Sequence, residues 1–125
     1  MKRILERKIK EIIKRGGKTE DSEMDLDKYS FDETISKNKV VVVDFWAEWC
    51  GPCQAYKGIF KSASEKLKGK AVFGRVNVDR NPELANKYRI YAVPTTIIFN
   101  NGKIVDQIVG LISEDELIKR VEKHL

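Results

Sequence analysis

Apolar residues recur along the chain with helical and strand periods in turn, which predicts an α/β fold. From residue 29 onward the predicted order is helix, strand, helix, strand, helix, strand, strand, helix. The predicted helices are residues 29–36, 51–67, 82–88 and the segment after Ser113, and the predicted strands are residues 40–46, 71–78, 95–99 and 103–109. Strands joined through a helix pair in parallel and a hairpin pairs antiparallel, so we expect a mixed sheet.

The most apolar of these segments is residues 40–46, in which four consecutive valines precede Asp44. A continuous β-branched run is typical of a central strand that is buried on both faces. The helix over residues 51–67 follows, with Pro52 in its first turn, where proline is tolerated. Asn101-Gly102 is a strong signal for a two-residue hairpin between the last two strands.

Two helix starts carry the capping-box pattern, in which a serine is followed three residues later by a glutamate. The pairs are Ser30 with Glu33 and Ser113 with Glu116. We therefore expect both serines to cap their helices through their side chains.

Residues 1–23 form a predicted extension, and the domain is predicted to occupy residues 24–125. An apolar stripe with basic flanks predicts a helix over residues 2–15, and the polar residues 16–24 are predicted to be a linker. The stripe consists of Leu5, Ile9, Ile12 and Ile13. One hypothesis is that the stripe packs on the domain or on another copy of the chain, and the other is that it docks on a membrane or a partner. Its short length favours packing or a partner over a membrane.

The chain has 125 residues and a net charge of +5, and the basic excess lies at its beginning. Residues 1–18 carry +6 and the rest −1, so the domain itself gives no reason to expect nucleic acid. The longest apolar run is far shorter than a membrane span, and no secretory leader is visible. We therefore expect a cytoplasmic protein.

The chain contains two cysteines, Cys50 and Cys53, and one distant histidine, His124. A structural zinc site needs about four such ligands, so no metal is expected. A lone C-x-x-C beside a strand and a helix is typical of a redox pair.

The sequence W-A-E-W-C-G-P-C at residues 46–53 resembles the active-site segment of the thioredoxin family. Further matches are V-D-F at residues 43–45, N-V-D at residues 77–79, V-P-T at residues 93–95, the Asn101-Gly102 turn and Gly110. The resemblance covers about residues 24–125. Gly58 stands where the family usually has a proline, Arg75 where it commonly has a lysine, and Gln54 where it often has a basic residue.

The resemblance implies a thioredoxin fold, with a mixed central sheet and helices on both faces. It implies a protein-disulfide reductase that acts through a mixed disulfide and takes part in cell redox homeostasis. Its partners would be disulfide-containing proteins and a flavin-dependent thioredoxin reductase. It implies no bound cofactor or metal besides the redox-active disulfide.

Cys50 is the expected nucleophile, because it precedes the helix, where backbone N–H groups and the helix dipole favour a thiolate, and because it can be exposed. Cys53 lies one turn further on and is the expected resolving thiol. Burial of Asp44 should raise its pKa and make it a proton relay for Cys53. The alternative is a structural ion pair of Asp44 with Arg75 or Lys57; the resemblance favours the relay.

The resemblance also assigns substrate-binding residues around the pair. Trp49 would form part of an apolar rim beside Gly51 and Pro52, whereas Trp46 is expected in the core. Pro94 would be cis, so that the Val93 backbone can pair with an extended substrate segment. Gly110 would leave a gap beside Pro94 for the substrate chain.

Two other functions stay open at this point. One is a disulfide oxidase or isomerase, against which the missing secretory leader and the Gly-Pro dipeptide argue. The other is a non-catalytic partner-binding subunit that uses the rim around Trp49, against which the intact cysteine pair argues.

Overall fold

In the computed structural model of the protein, which describes residues 22–125, helices cover both faces of a five-stranded sheet. The strands are β1 (Glu23–Asp25), β2 (Val40–Trp46), β3 (Val72–Asn77), β4 (Thr95–Asn100) and β5 (Lys103–Val109). The helices are α1 (Phe31–Lys37), α2 (Gly51–Lys66), α3 (Pro82–Lys87) and α4 (Glu114–Glu122). This is the expected α/β fold with a mixed sheet.

The strand order is β1-β3-β2-β4-β5, so β2 lies at the centre of the sheet. β3 pairs in parallel with β1 and β2, whereas β4 is antiparallel to both β2 and β5. The turn between β4 and β5 has positive φ at Asn101 (52°) and at Gly102 (82°). Two successive residues of this kind give a hairpin turn whose twist matches its strands, which confirms the predicted hairpin.

The four valines of β2 divide between two hydrophobic cores, because successive side chains of a strand point to opposite faces. Val40 and Val42 pack with α2 and α4 in the first core. Val41 and Val43 pack with α1 and α3 in the second. The central strand is therefore buried on both faces, as its continuous apolar run predicts.

The predicted capping box at Ser30 is wrong, whereas Ser113 caps α4 as expected. Ser30 has helical backbone angles (φ −99°, ψ −14°), from which its side chain makes no cap hydrogen bond. Instead, Asp27 Oδ1 accepts from the backbone N–H groups of Tyr29 (2.9 Å) and Ser30 (3.0 Å). Ser113 is extended (φ −72°, ψ 160°), and its Oγ accepts from the Glu116 N–H at 3.1 Å.

Strand β1 was not predicted, because the proposed linker over residues 16–24 includes its first two residues. Three residues are too few to show an alternating pattern, and β1 is specified by its parallel register with β3, from Glu23 opposite Phe73 to Asp25 opposite Arg75. The helix predicted over residues 2–15 lies outside the described residues.

Close packing of β3 against the segment after β1 depends on a glycine. Gly74 is opposite Met24 in the sheet, and a Cβ atom at Gly74 would lie 2.9 Å from Cγ of the buried Leu26. By contrast, a Cβ atom at Gly58 on α2 would meet nothing within 4 Å.

We predict that Gly74→Ala lowers the free energy of unfolding by about 1–3 kcal/mol, because Leu26 must shift within a packed core. The matched control, Gly58→Ala, should raise it by about 0.5–1 kcal/mol, because alanine is the better helix former. Chemical denaturation of the two variants measures both effects. A Gly74→Ala variant as stable as the wild type would contradict the packing described here.

Candidate active site

The two cysteines lie where the central strand passes into α2. β2 ends at Trp46, and Cys50 is the N-cap residue of α2, with extended backbone angles (φ −91°, ψ 112°). Its Sγ atom accepts a hydrogen bond from the Cys53 backbone N–H at 3.1 Å. The two residues form a disulfide bond. The helix terminus therefore offers an N–H group and the positive end of its dipole to the sulfur that would become a thiolate.

The expectation that Cys50 is exposed is wrong for this disulfide form. Cys50 is 4% exposed and Cys53 is 0% exposed, and both pack with Ala47, Trp46 and Val93. Of the two cysteines, only Cys50 has any solvent-exposed surface. Gly51 and Pro52, which lie between them, are exposed.

The loop before β4 lies against the disulfide. The Val93–Pro94 peptide is cis, as predicted, and Cys50 Sγ lies 3.5 Å from the Val93 carbonyl oxygen. The Gly110 N–H donates to the Pro94 carbonyl at 2.8 Å. Gly110 has φ of 97°, and a Cβ atom there would meet nothing within 4 Å. The fold thus brings Cys50, Val93, Pro94 and Gly110 together from three segments of the chain.

Exposed apolar side chains lie in the same segments as the disulfide and its loop. Trp49 is 72% exposed, and its Nε1–H donates to Asp79 Oδ2 at 2.9 Å, which fixes the orientation of the indole. Tyr91 is 89% exposed, and Leu111, next to Gly110, is 50% exposed. No role was predicted for Tyr91, Leu111 or Asp79; an aromatic residue two positions before Val93 was the one available signal in the sequence.

Asp44 is completely buried in β2. Its Oδ2 accepts from Arg75 Nε at 3.2 Å, and its Oδ1 has no hydrogen-bond partner among residues 22–125. Burial raises the pKa of Asp44 from 3.8 to about 6, although the Arg75 charge acts in the opposite direction. The guanidinium of Arg75 also lies 4.3 Å from the ring centroid of Trp46.

Both interpretations of Asp44 thus find support in the geometry. The ion pair with Arg75 exists, while Lys57 is exposed on α2 and makes no ion pair within the described part of the chain. The pairing does not overcome the cost of burial, since the pKa of Asp44 stays above its ordinary value.

Residues 22–125 contain no group of three or more His, Cys, Asp or Glu side chains that could hold a metal ion. Within the same range, no helix is both long and apolar enough to cross a membrane.

A sequence model of the thioredoxin family, described as Thioredoxin, matches residues 22–123. The thioredoxin of Chlorobaculum thiosulfatiphilum is 39% identical over 93 residues, which are 74% of this chain and 86% of that protein. Thioredoxin 1 of Nostoc sp. is also 39% identical over 93 residues, 74% of this chain and 87% of that protein. The chain belongs to the thioredoxin family.

The solved structures agree with this assignment. A mutant thioredoxin from Halobacterium salinarum matches with a TM-score of 0.77 and 34% identity, over 86% of this chain and 96% of that one. As a member of the thioredoxin family, the protein is a thiol–disulfide reductase, and its redox group is the Cys50–Cys53 disulfide.

The raised pKa of Asp44 makes the stability of this thioredoxin-family protein depend on pH. Below pH 3.8 the carboxyl is protonated in both the folded and the unfolded chain. As the pH rises towards 6 the unfolded chain loses the proton and the folded chain retains it, so stability falls. Above pH 6 both are charged and the loss is complete.

We predict that Asp44→Asn escapes this loss. Its free energy of unfolding, relative to the wild type, should rise by about 2–2.5 kcal/mol between about pH 4 and pH 7.5, measured by denaturant titration. Asp106→Asn is the matched control: the hydrogen bond from Arg120 lowers the pKa of Asp106, so this carboxyl contributes to the pH dependence with the opposite sign and no rise is expected. A flat difference for Asp44→Asn would show that Arg75 compensates the buried charge fully.

Proposed function

We propose that Cys50 is the nucleophile and Cys53 the resolving thiol in the reduction of disulfides in other proteins. The observation that carries this assignment is the position of Cys50 as N-cap of α2, with its sulfur accepting the Cys53 N–H while Cys53 is inaccessible. A helix N-terminus lowers the pKa of a thiol, and the thiolate is the attacking species.

The first step consumes the reduced form of the protein. The Cys50 thiolate attacks one sulfur of the substrate disulfide, a bond forms between Cys50 and that sulfur, and the other substrate sulfur leaves as a thiolate. The product is a mixed disulfide. Because Cys50 is the more accessible of the two cysteines, a substrate sulfur reaches it first.

The second step releases the substrate. The Cys53 thiol loses its proton and attacks Cys50 Sγ, the mixed disulfide breaks, and the second substrate sulfur leaves as a thiolate that takes up a proton. The Cys50–Cys53 dithiol has then lost two electrons and become a disulfide, and the substrate has gained them and is fully reduced. The disulfide form described here is the product of this step.

Asp44 accepts the proton of Cys53 in this scheme, directly or through water. A base works best when its pKa lies near the working pH, and burial raises the pKa of Asp44 to about 6. The carboxylate is thus mostly charged near neutral pH and ready to take a proton. Arg75 stays bonded to Oδ2, so Oδ1 is the oxygen available for proton transfer.

Substrate chains bind beside the disulfide. The exposed residues Trp49, Gly51 and Pro52 contact the substrate on one side. On the other side, the backbone of Val93, next to Pro94, pairs with an extended segment as an added strand. The open space at Gly110 admits that segment, because no side chain fills it.

The oxidised pair is returned to the dithiol by a flavin-dependent thioredoxin reductase, and disulfide-containing proteins are the substrates. The site of action is the cytoplasm, where thiols are kept reduced. The residues that precede β1 are an extension outside the domain, which includes the sheet from Glu23 onward, and membrane binding is not part of their role. The family assignment supports the reductase and the substrates as partner classes.

We predict that Cys53→Ser accumulates a mixed disulfide with a protein substrate, since the attack that releases the substrate is lost. Non-reducing gel electrophoresis and mass spectrometry of the intact adduct measure it. Cys50→Ser is the matched control and should form no adduct through Cys53, which is buried. A stable adduct with Cys50→Ser would instead show that Cys53 is the nucleophile and Cys50 the resolving thiol.

The role of Asp44 is tested by the pH profile of disulfide reduction under single-turnover conditions. Asp44→Asn should slow the resolving step by about 10²-fold near pH 7, and the acid limb near pH 6 should disappear. An unchanged profile would exclude Asp44 as the proton acceptor while leaving the cysteine roles in place.

A further inference from the structure

Two hydroxyl groups are hydrogen-bonded to each other inside the core that α2 forms with the sheet. Tyr56 Oη and Thr96 Oγ1 are 2.8 Å apart, and both residues are 0% exposed. Burial raises the pKa of Tyr56, so its hydroxyl keeps its proton. Two apolar side chains of similar shape would fill this space at little or no cost in stability, so packing alone does not require hydroxyls here.

The sheet register puts this hydroxyl pair next to the buried carboxyl. Thr96 on β4 is the direct cross-strand partner of Asp44 on β2. Side chains directly opposite each other in an antiparallel pair lie on the same face, with Cβ atoms about 4.5–5.5 Å apart. Tyr56 follows Cys53 by three residues on α2, and residues so spaced are neighbours on one helix face.

Among the described residues, one hydroxyl proton of the Tyr56–Thr96 pair and one carboxyl oxygen of Asp44 have no hydrogen-bond partner. Two hydroxyls carry two protons, and their mutual bond uses one of them. Neither hydroxyl makes another hydrogen bond within residues 22–125. Asp44 Oδ1 is a buried acceptor without a partner among the described residues, and no direct hydrogen bond joins it to either hydroxyl in the disulfide form. The remaining proton and the remaining oxygen therefore complement each other.

Charged groups from the surrounding elements also act on Asp44. Arg75 on β3 stabilises the carboxylate through Oδ2, and Glu23 on β1 repels it. The charge of Asp44 raises the pKa of Tyr56 on α2, and the charge of Arg120 on α4 lowers it. Since β4 contributes a neutral hydroxyl, the Tyr56–Thr96 pair adds a dipole that can turn towards the carboxylate.

We propose that the Tyr56–Thr96 hydroxyl pair directs its unused proton towards Oδ1 of Asp44 and stabilises the charged carboxyl. Tyr56 and Thr96 are positioning residues, which act through Asp44 and do not touch the substrate. Their consequence for the reaction rests on the proposed role of Asp44, because they set the pH above which that carboxyl can accept the Cys53 proton.

The test is the titration of Asp44, followed by NMR of the aspartate side-chain carboxyl carbons in the full chain. Removing a donor from a carboxylate raises its pKa. Either single substitution leaves one hydroxyl proton, so the double variant Tyr56→Phe/Thr96→Val is the one that removes the donor, and it should raise the pKa of Asp44 by about half a unit or more. Both substitutions keep the side-chain volume nearly unchanged, and Tyr56→Phe retains the ring contact with Phe60.

The matched control is Tyr88→Phe, which removes a tyrosine hydroxyl on the opposite face of the sheet, where Tyr88 packs against Phe31 and Phe99. It should leave the titration of Asp44 in place. An unchanged pKa of Asp44 in the double variant would overturn the proposal, as would an equal rise in Tyr88→Phe. If the double variant fails to fold, the two single variants decide, and an unchanged pKa of Asp44 in both would overturn the proposal.

The pH profile of disulfide reduction separates this proposal from the role of Asp44 itself. The acid limb of the double variant Tyr56→Phe/Thr96→Val should move to higher pH by the same amount as the titration of Asp44. If the titration moves and the rate profile does not, the hydroxyl contact is supported and Asp44 is excluded as the proton acceptor. In the Asp44→Asn background, Tyr56→Phe and Thr96→Val together should cause no further change of the profile.

Discussion

Cys50 Sγ accepts a hydrogen bond from the backbone N–H of Cys53 at the first turn of α2, and the geometry of the site depends on this contact. It requires that the central strand end at Trp46 and that the helix begin at Gly51, so that the sulfur lies at the positive end of the helix dipole. Strand β2 can hold this position because helices cover it on both faces. The loop at Val93 then closes on the disulfide from the neighbouring strand β4.

Asp44 introduces a cost into the same central strand. A carboxylate in an apolar core is unfavourable unless it is paired, and Arg75 meets one of its oxygens while stacking on Trp46. The remaining cost appears as a raised pKa, which is also the property that suits a base near neutral pH. The proposed proton transfer would link stability and reactivity through this one side chain, and its neighbours on β3, β4 and α2 would adjust both.

Much of the fold follows from local signals. The valines of β2, the Asn101-Gly102 turn and the cap at Ser113 each act over a few residues, and the structure agrees with them. Two predictions fail where distant contacts decide. β1 forms by pairing in parallel with the edge of β3. The predicted cap at Ser30 is absent, and Asp27 Oδ1 accepts the backbone hydrogen bonds in the turn that precedes α1.

The sequence by itself determined the redox chemistry of the protein, because C-x-x-C at the start of a helix specifies its reacting atoms within four residues. The apolar run around Asp44 also indicated its burial, and the resemblance anticipated the cis peptide at Pro94. Only the tertiary structure decided the burial of Cys50, the choice of Arg75 over Lys57 as partner of Asp44, and the meeting of Tyr56 with Thr96. Each of these depends on sheet register and on the packing of α2 across the sheet, which join residues that are far apart in the chain.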